Sequence, residues 1–143
     1  MTDTEQTIYT FLKERKEKLC VLATSNRDGK PEASVVGYAV MEDLTMLHST
    51  TPQTRKVENL KENPKASLVI GWGFHELSIQ MDGIVDIIAT GDDYRKADEF
   101  FFTQNPLAVK FRSANTLFLK FRPLWVRYID LTSITPKTEE FTY

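Results

Sequence analysis

Apolar positions along the chain change their period several times, and each change marks an expected element. Ile8, Phe11, Leu12 and Leu19 recur at helical spacing, so a first helix is expected from a cap at Asp3 or Thr4 to about Lys18, with residues 13–18 as its solvated charged face. Residues 19–25 read as a buried strand. Asp28-Gly29, inside the turn 26–31, sends the chain back as a strand over residues 32–41. Along it Ala33, Val35, Gly37 and Ala39 alternate with Ser34, Val36, Tyr38 and Val40, the mixed pattern of a strand covered in part on both faces. Gly37 marks a bulge, a close approach by a flat ligand or a packing constraint, the last being the commonest reason.

Residues 45–49 form a further strand, and Pro52 is expected to open a helix that ends at Asn63-Pro64. A strand over 66–72 follows. Residues 77–90 make the longest strand, with Leu77, Ile79, Met81, Val85, Ile87 and Ala89 on one face and Gly83 at a bend. A helix is expected over 94–103 behind Gly91-Asp92-Asp93, a short one over 107–111, and a loop over 112–115. Two strands, 116–121 and 124–131, are separated by Pro123. Six or seven mostly antiparallel strands, with a helix inserted after the third, point to a mainly β Greek-key barrel. Its interior fills with side chains, so a large ligand binds outside it.

Composition narrows the class. The chain has 143 residues, the size of one domain, 1–143, and 41% of them are hydrophobic, as in an ordinary globular protein. A net charge of -2 without basic blocks carries no footprint for nucleic acid. No apolar run approaches membrane-spanning length and the N-terminus is polar, so a cytoplasmic protein with no membrane contact is expected. Cys20, the one cysteine, lies in an apolar run and reads as a buried, inert thiol. With only His48 and His75 present, a multi-histidine metal site is ruled out and no metal is expected; one histidine is still enough to ligate a haem.

The candidate chemistry sits between Thr45 and Gly73. Ser49, Thr50, Thr51 and Thr54 put hydroxyls ahead of a helix whose first turns carry Arg55 and Lys56. A helix start offers free N–H groups to an anion, and the two cations suit phosphate. Cations there are misplaced against the helix dipole unless an anion is bound. The spacing alone fits equally an anion site or a solvated helix start with two surface cations.

The run Thr50, Thr54-Arg55-Lys56, Asn63-Pro64 and Trp72 resembles the FMN-binding split barrel of the pyridoxamine 5'-phosphate oxidase-like family. The resemblance implies a six- to seven-stranded antiparallel split barrel. It implies a homodimer with FMN at the subunit interface and flavin-dependent oxidoreductase activity on a small-molecule substrate. It assigns the phosphate to Ser49, Thr50, Thr54, Arg55 and Lys56, and lays the backbone of Ser34, Val35 and Val36 along the ring. It adds Gln80 and Trp125 from the partner subunit. The larger oxidases carry Arg where this chain has Ser34 and a flavin-stacking Trp about where it has Ile129. They also continue into a basic substrate-holding segment that residues 132–143 are too short and polar to supply. Those departures keep a non-catalytic flavin-binding or stress-associated module open, as well as a deazaflavin- or haem-binding barrel. No catalytic acid or base is identifiable.

Overall fold

Helix α1 (Asp3–Glu14) begins where the chain supplies a reciprocal cap: the Glu5 amide donates to Thr2 Oγ1 (3.1 Å) and the Thr2 amide to the Glu5 carboxylate (2.6 Å). This computed structural model describes residues 1–143. α1 buries Ile8 and Leu12 and ends at Arg15, short of the expected Lys18. The chain turns early because residues 15–18 must carry it to the barrel end, where the Lys18 carbonyl accepts the Tyr38 amide (2.9 Å).

The strands are β1 (Leu19–Ser25), β2 (Pro31–Gly37), β3 (Ala39–Val40), β4 (Met46–Thr50), β5 (Lys65–Ile70), β6 (Leu77–Ile88), β7 (Leu117–Asp130) and β8 (Lys137–Thr142). They form one curled antiparallel sheet in the order β2-β1-β5-β6-β7-β4-β3, with β8 added beside β7. The strand expected over 32–41 is therefore two. The chain leaves one edge of the sheet at Gly37, crosses at Tyr38, and joins the opposite edge as β3. Helix α2 (Arg55–Glu62) consequently follows the fourth strand rather than the third.

Two further expectations change in detail. Pro52 lies in a turn, and α2 starts three residues later at Arg55, because Thr54 Oγ1 donates back to the Thr51 carbonyl (3.1 Å) and holds the preceding loop. The strands expected on either side of Pro123 are one strand. At the register shift after Asp82, Asp82 faces Trp125 and Gly83 faces Pro123, so Leu124 is the extra residue of a bulge. A Cβ on Gly83 would stand 2.3 Å from the Arg122 carbonyl oxygen, so the close crossing at this bend requires glycine. β8 was not legible as a strand. It pairs with β7 from Trp125 to Asp130 and packs Phe141 against the core.

The main core joins α1 to the concave face of the sheet: Ile8, Leu12, Leu22, Met46, Leu68, Ile79, Met81 and Phe121 are all in it. A second cluster, Ala39, Leu47, Ala97, Phe101 and Phe118, seats helix α3 (Gly91–Gln104) over β3, β4 and β7. α3 starts three residues before the expected Tyr94 and has Thr90 as its N-cap.

Edge β2 meets the β4 edge through one side chain. His48 on β4 is fully buried, and its Nδ1 donates to the Gly37 carbonyl at the end of β2 (3.0 Å). Cys20 Sγ is 3.9 Å from the same nitrogen, and the Phe121 ring meets the imidazole edge-on. Burial lowers the imidazole pKa from 6.5 to about 4 and raises the Cys20 thiol to about 12, so both are neutral and the thiol is inert. The unfolded chain therefore takes up a proton below pH 6.5 that the folded chain refuses until about pH 4. Stability falls as pH is lowered through that window, by about 3 kcal/mol in all. Urea unfolding across pH 4–6.5 checks this: His48→Asn, which keeps a donor but does not titrate, flattens the slope, and an unchanged slope excludes His48 as its source.

Candidate cofactor cleft

Beside that seam opens a cleft of about 820 Å3, in the upper part of the usual size range for small-molecule sites. One wall is the outer edge of β2, with Val35, Val36 and Gly37. The far end of β4 and the start of α2 bring Ser49, Thr50, Thr51 and Lys56. The α1–β1 connection at Lys16–Leu19, the end of α3 and the 3-10 helix Pro106–Phe111 complete the lining.

Each wall is held by bonds that run across elements. The Gln104 amide copies a strand partner, accepting from the Val40 amide (3.0 Å) and donating to the Val40 carbonyl (2.9 Å). Asn105 Nδ2 donates to the Tyr38 and Phe101 carbonyls (2.9 and 3.1 Å). Phe101 then lies against Gly37, where a Cβ would come within 3.3 Å of the ring, so Gly37 is a packing constraint of the cleft floor.

Lys56 is the notable charge. It is only 8% exposed, sits in the first turn of α2, makes no ion pair with any carboxylate, and is one of the cleft-lining residues. All five ion pairs of the protein lie elsewhere. The chain supplies this cation with no counter-charge, and an anion in the cleft would be its partner. The hydroxyls of Ser49, Thr50 and Thr51 line the same cleft as donors. α2 has no side-chain cap, which leaves its first amides available on that side.

The residues singled out from sequence divide into four groups. Val35, Val36, Ser49, Thr50 and Lys56 come together in the cleft. Thr54 and Arg55 border it without lining it: Thr54 is 3.4 Å from Thr50 Oγ1 and braces the turn, whereas Arg55 is exposed. Ser34 points to the other side of β2 from Val35, with its Oγ buried and unpartnered. Gln80 and Trp125 are absent from the cleft altogether. They line a shallower depression on the outer face of the sheet, with Val21, Ala23, Ser67 and Val69. The sequence reading missed Lys16, Lys18, Gln104, Asn105, Lys110 and Phe111; Asn105-Pro106, a helix stop in sequence, was the one signal near them.

Both histidines lie outside this lining. His48 is sealed in the core, and His75 is exposed on the connection between β5 and β6. Neither is placed to ligate a haem in the cleft. No helix is long and apolar enough to cross a membrane.

Residues 4–130 match the family described as Pyridoxamine 5'-phosphate oxidase. The chain belongs to this family. It is 29% identical over 83 residues to a pyridoxine/pyridoxamine 5'-phosphate oxidase of Bordetella pertussis, an alignment covering 58% of this chain and 38% of that one. The chain thus matches about two-fifths of the length of that oxidase. Among solved structures it is similar to a pyridoxamine 5'-phosphate oxidase-related, FMN-binding protein of Nostoc punctiforme. The TM-score there is 0.76 at 12% identity, over 99% of this chain and 91% of the other. It is also similar to a haem-binding protein of Mycobacterium smegmatis, with a TM-score of 0.78 at 17% identity, over 99% of this chain and 59% of the other. At these identities the two structures establish the split-barrel fold of the pyridoxamine 5'-phosphate oxidase family and nothing finer.

Proposed function

We propose that the cleft binds FMN and that the protein is a flavin-dependent oxidoreductase acting on a small molecule. The observation that carries this reading is Lys56: a nearly buried cation with no protein counter-charge, beside three hydroxyls and the uncapped start of a helix. That donor set fits a phosphate. Ser49, Thr50, Thr51 and Lys56 hold it, with Arg55 adding long-range attraction from the rim and Thr54 bracing Thr50. The β2 edge at Val35–Gly37 offers backbone groups and an apolar surface to a flat ring. FMN, when bound, supplies the redox chemistry; the chain orients the ring and keeps water from one of its faces. Family membership and the FMN-binding relative in Nostoc support the choice of ligand.

Gln80 and Trp125 enter this reading only through a second copy. A cross-strand row runs from Val35 at the cleft through Val21, Val69 and Gln80 to Arg127 on the outer face of the sheet. Val35 is 61% exposed at its start. A twofold pairing of such faces brings one copy's Gln80 and Trp125 towards the other's cleft, which makes the working unit a homodimer.

A second reading, a flavin-binding module without turnover, is favoured by one observation. The cleft lining has no histidine or cysteine, and its only carboxylate is Glu17. A deazaflavin phosphate would engage the same cation. A haem finds no histidine there.

Charge-assisted hydrogen bonds contribute about 1.5–3 kcal/mol each, so Lys56→Ala weakens FMN binding by about 10- to 100-fold, and Arg55→Ala by less. Visible-absorbance titration measures both, and an unchanged affinity in Lys56→Ala removes the phosphate assignment. Sedimentation of the FMN-bound protein is expected to give a dimer; a single chain that retains FMN would rule out a shared site.

A further inference from the structure

Only the end of α3 borders the cofactor cleft. Its earlier turns carry Asp93, Lys96, Ala97 and Phe100 on one helical stripe, and that stripe stands over a separate cavity of about 470 Å3. The two spaces share no lining residue, and the second also has the size of a small-molecule site. It exists because α3 is tied down elsewhere. Tyr94 and Phe101, on the neighbouring flank, rest on the Phe118 ring, with 5.2 and 6.0 Å between ring centres. The Tyr94 hydroxyl donates to the Thr116 carbonyl (2.8 Å), and Gln104 and Asn105 fix the far end of the helix to Val40 and Tyr38. Held at both ends, the helix does not sink onto the sheet, and Ala97 is too short to fill the space beneath it.

The lining is apolar within and charged at the mouth. Leu47 and Ala97 are buried, and Met41, Ile87, Ile88 and Phe100 are half-buried. None of the six has a hydrogen-bonding side-chain nitrogen or oxygen, so this surface matches a hydrocarbon chain, to which methionine adapts readily. The charged members are Asp86, Asp93, Lys96 and Lys120. Asp86 is taken by Arg122 (3.1 Å), and Asp93 lies in the first turn of α3, where the helix dipole favours an acid. Lys96 on α3 and Lys120 on β7 come from facing walls and belong to none of the five ion pairs. With Asp86 neutralised, two lysines against Asp93 leave one surplus positive charge. That balance suits a singly charged head group better than a phosphate monoester, which carries nearly two charges.

We propose that the cavity under α3 is a second binding site of the protein, and that it takes an aliphatic carboxylate. The hydrocarbon chain lies on Met41, Leu47, Ile87 and Ile88, and Lys96 and Lys120 hold the carboxylate. No residue of this site is used in the cofactor reading, so the two stand or fall separately.

The test is calorimetric titration at low salt with hexanoate, octanoate and decanoate, with and without excess FMN. One carboxylate is expected to bind per chain, with an affinity that rises about two- to fourfold for each added methylene and does not change with FMN. The Lys96→Gln/Lys120→Gln variant, altered only at the mouth, is expected to bind decanoate about fivefold more weakly and to keep the dependence on chain length. Absence of saturable binding, an affinity indifferent to chain length, or an unchanged affinity in the double variant overturns the proposal. Competition between decanoate and FMN also overturns it, because the carboxylate then occupies the cofactor cleft.

Discussion

One buried hydrogen bond joins the two edges of the sheet. β2 is one edge of the sheet and β4 lies beside β3 at the other, and His48 on β4 reaches the Gly37 carbonyl of β2. The bond needs a proton on Nδ1, and full burial keeps the imidazole neutral, so the acceptor at Gly37 selects the Nδ1–H tautomer. Its position also decides where a ligand can sit. The crossing at Tyr38 is fixed on three sides, by the Lys18 carbonyl, by Asn105 and by the bond from its own hydroxyl to the Leu12 carbonyl (2.9 Å). The cleft lies alongside this fixed seam, with β2 as one wall and the end of β4 leading into the other.

Lys56 is the second constraint, and it opposes the first. The seam's Nδ1 bond is made within the chain, with His48 Nε2 buried and unpartnered behind it, whereas Lys56 has no ionic partner in the chain. A largely covered lysine left without an ionic partner in the chain is free to meet an anion from outside it. Ser49, Thr50 and Thr51 bring hydroxyl-bearing side chains to the same cleft, with Thr50 Oγ1 3.4 Å from Thr54 Oγ1.

The sequence made most of the barrel legible because its strands are long and alternate. The face assigned to Ile79, Met81 and Val85 is the buried one, and Asn63-Pro64 does end α2. It was less informative wherever a tertiary bond overrides a local signal. Nothing local marks the break at Tyr38, since the residues on either side continue to alternate. Pro123 reads as a boundary, yet the bulge at Leu124 absorbs it within a single strand. β8 is polar and gains its place from pairing with β7, which local pattern does not encode. In the site, the β4–α2 motif was readable because its members are contiguous. Lys16, Lys18, Gln104, Asn105 and Lys110 were not, because only the fold brings the α1–β1 connection and the end of α3 to the same cleft. Gln80 and Trp125 show the reverse: the sequence reading placed them at the site, but one chain alone puts them on another face.

The central claim is that the cleft is built around a phosphate. Comparing the binding of FMN with that of riboflavin, which has the same ring system without the phosphate, tests it most directly. If Lys56 and the β4 hydroxyls anchor that group, FMN binds at least about 100-fold more tightly than riboflavin, and the difference shrinks as salt is added. Equal affinity for the two, or a preference for riboflavin, would contradict the account and leave the buried charge of Lys56 without a purpose in flavin binding.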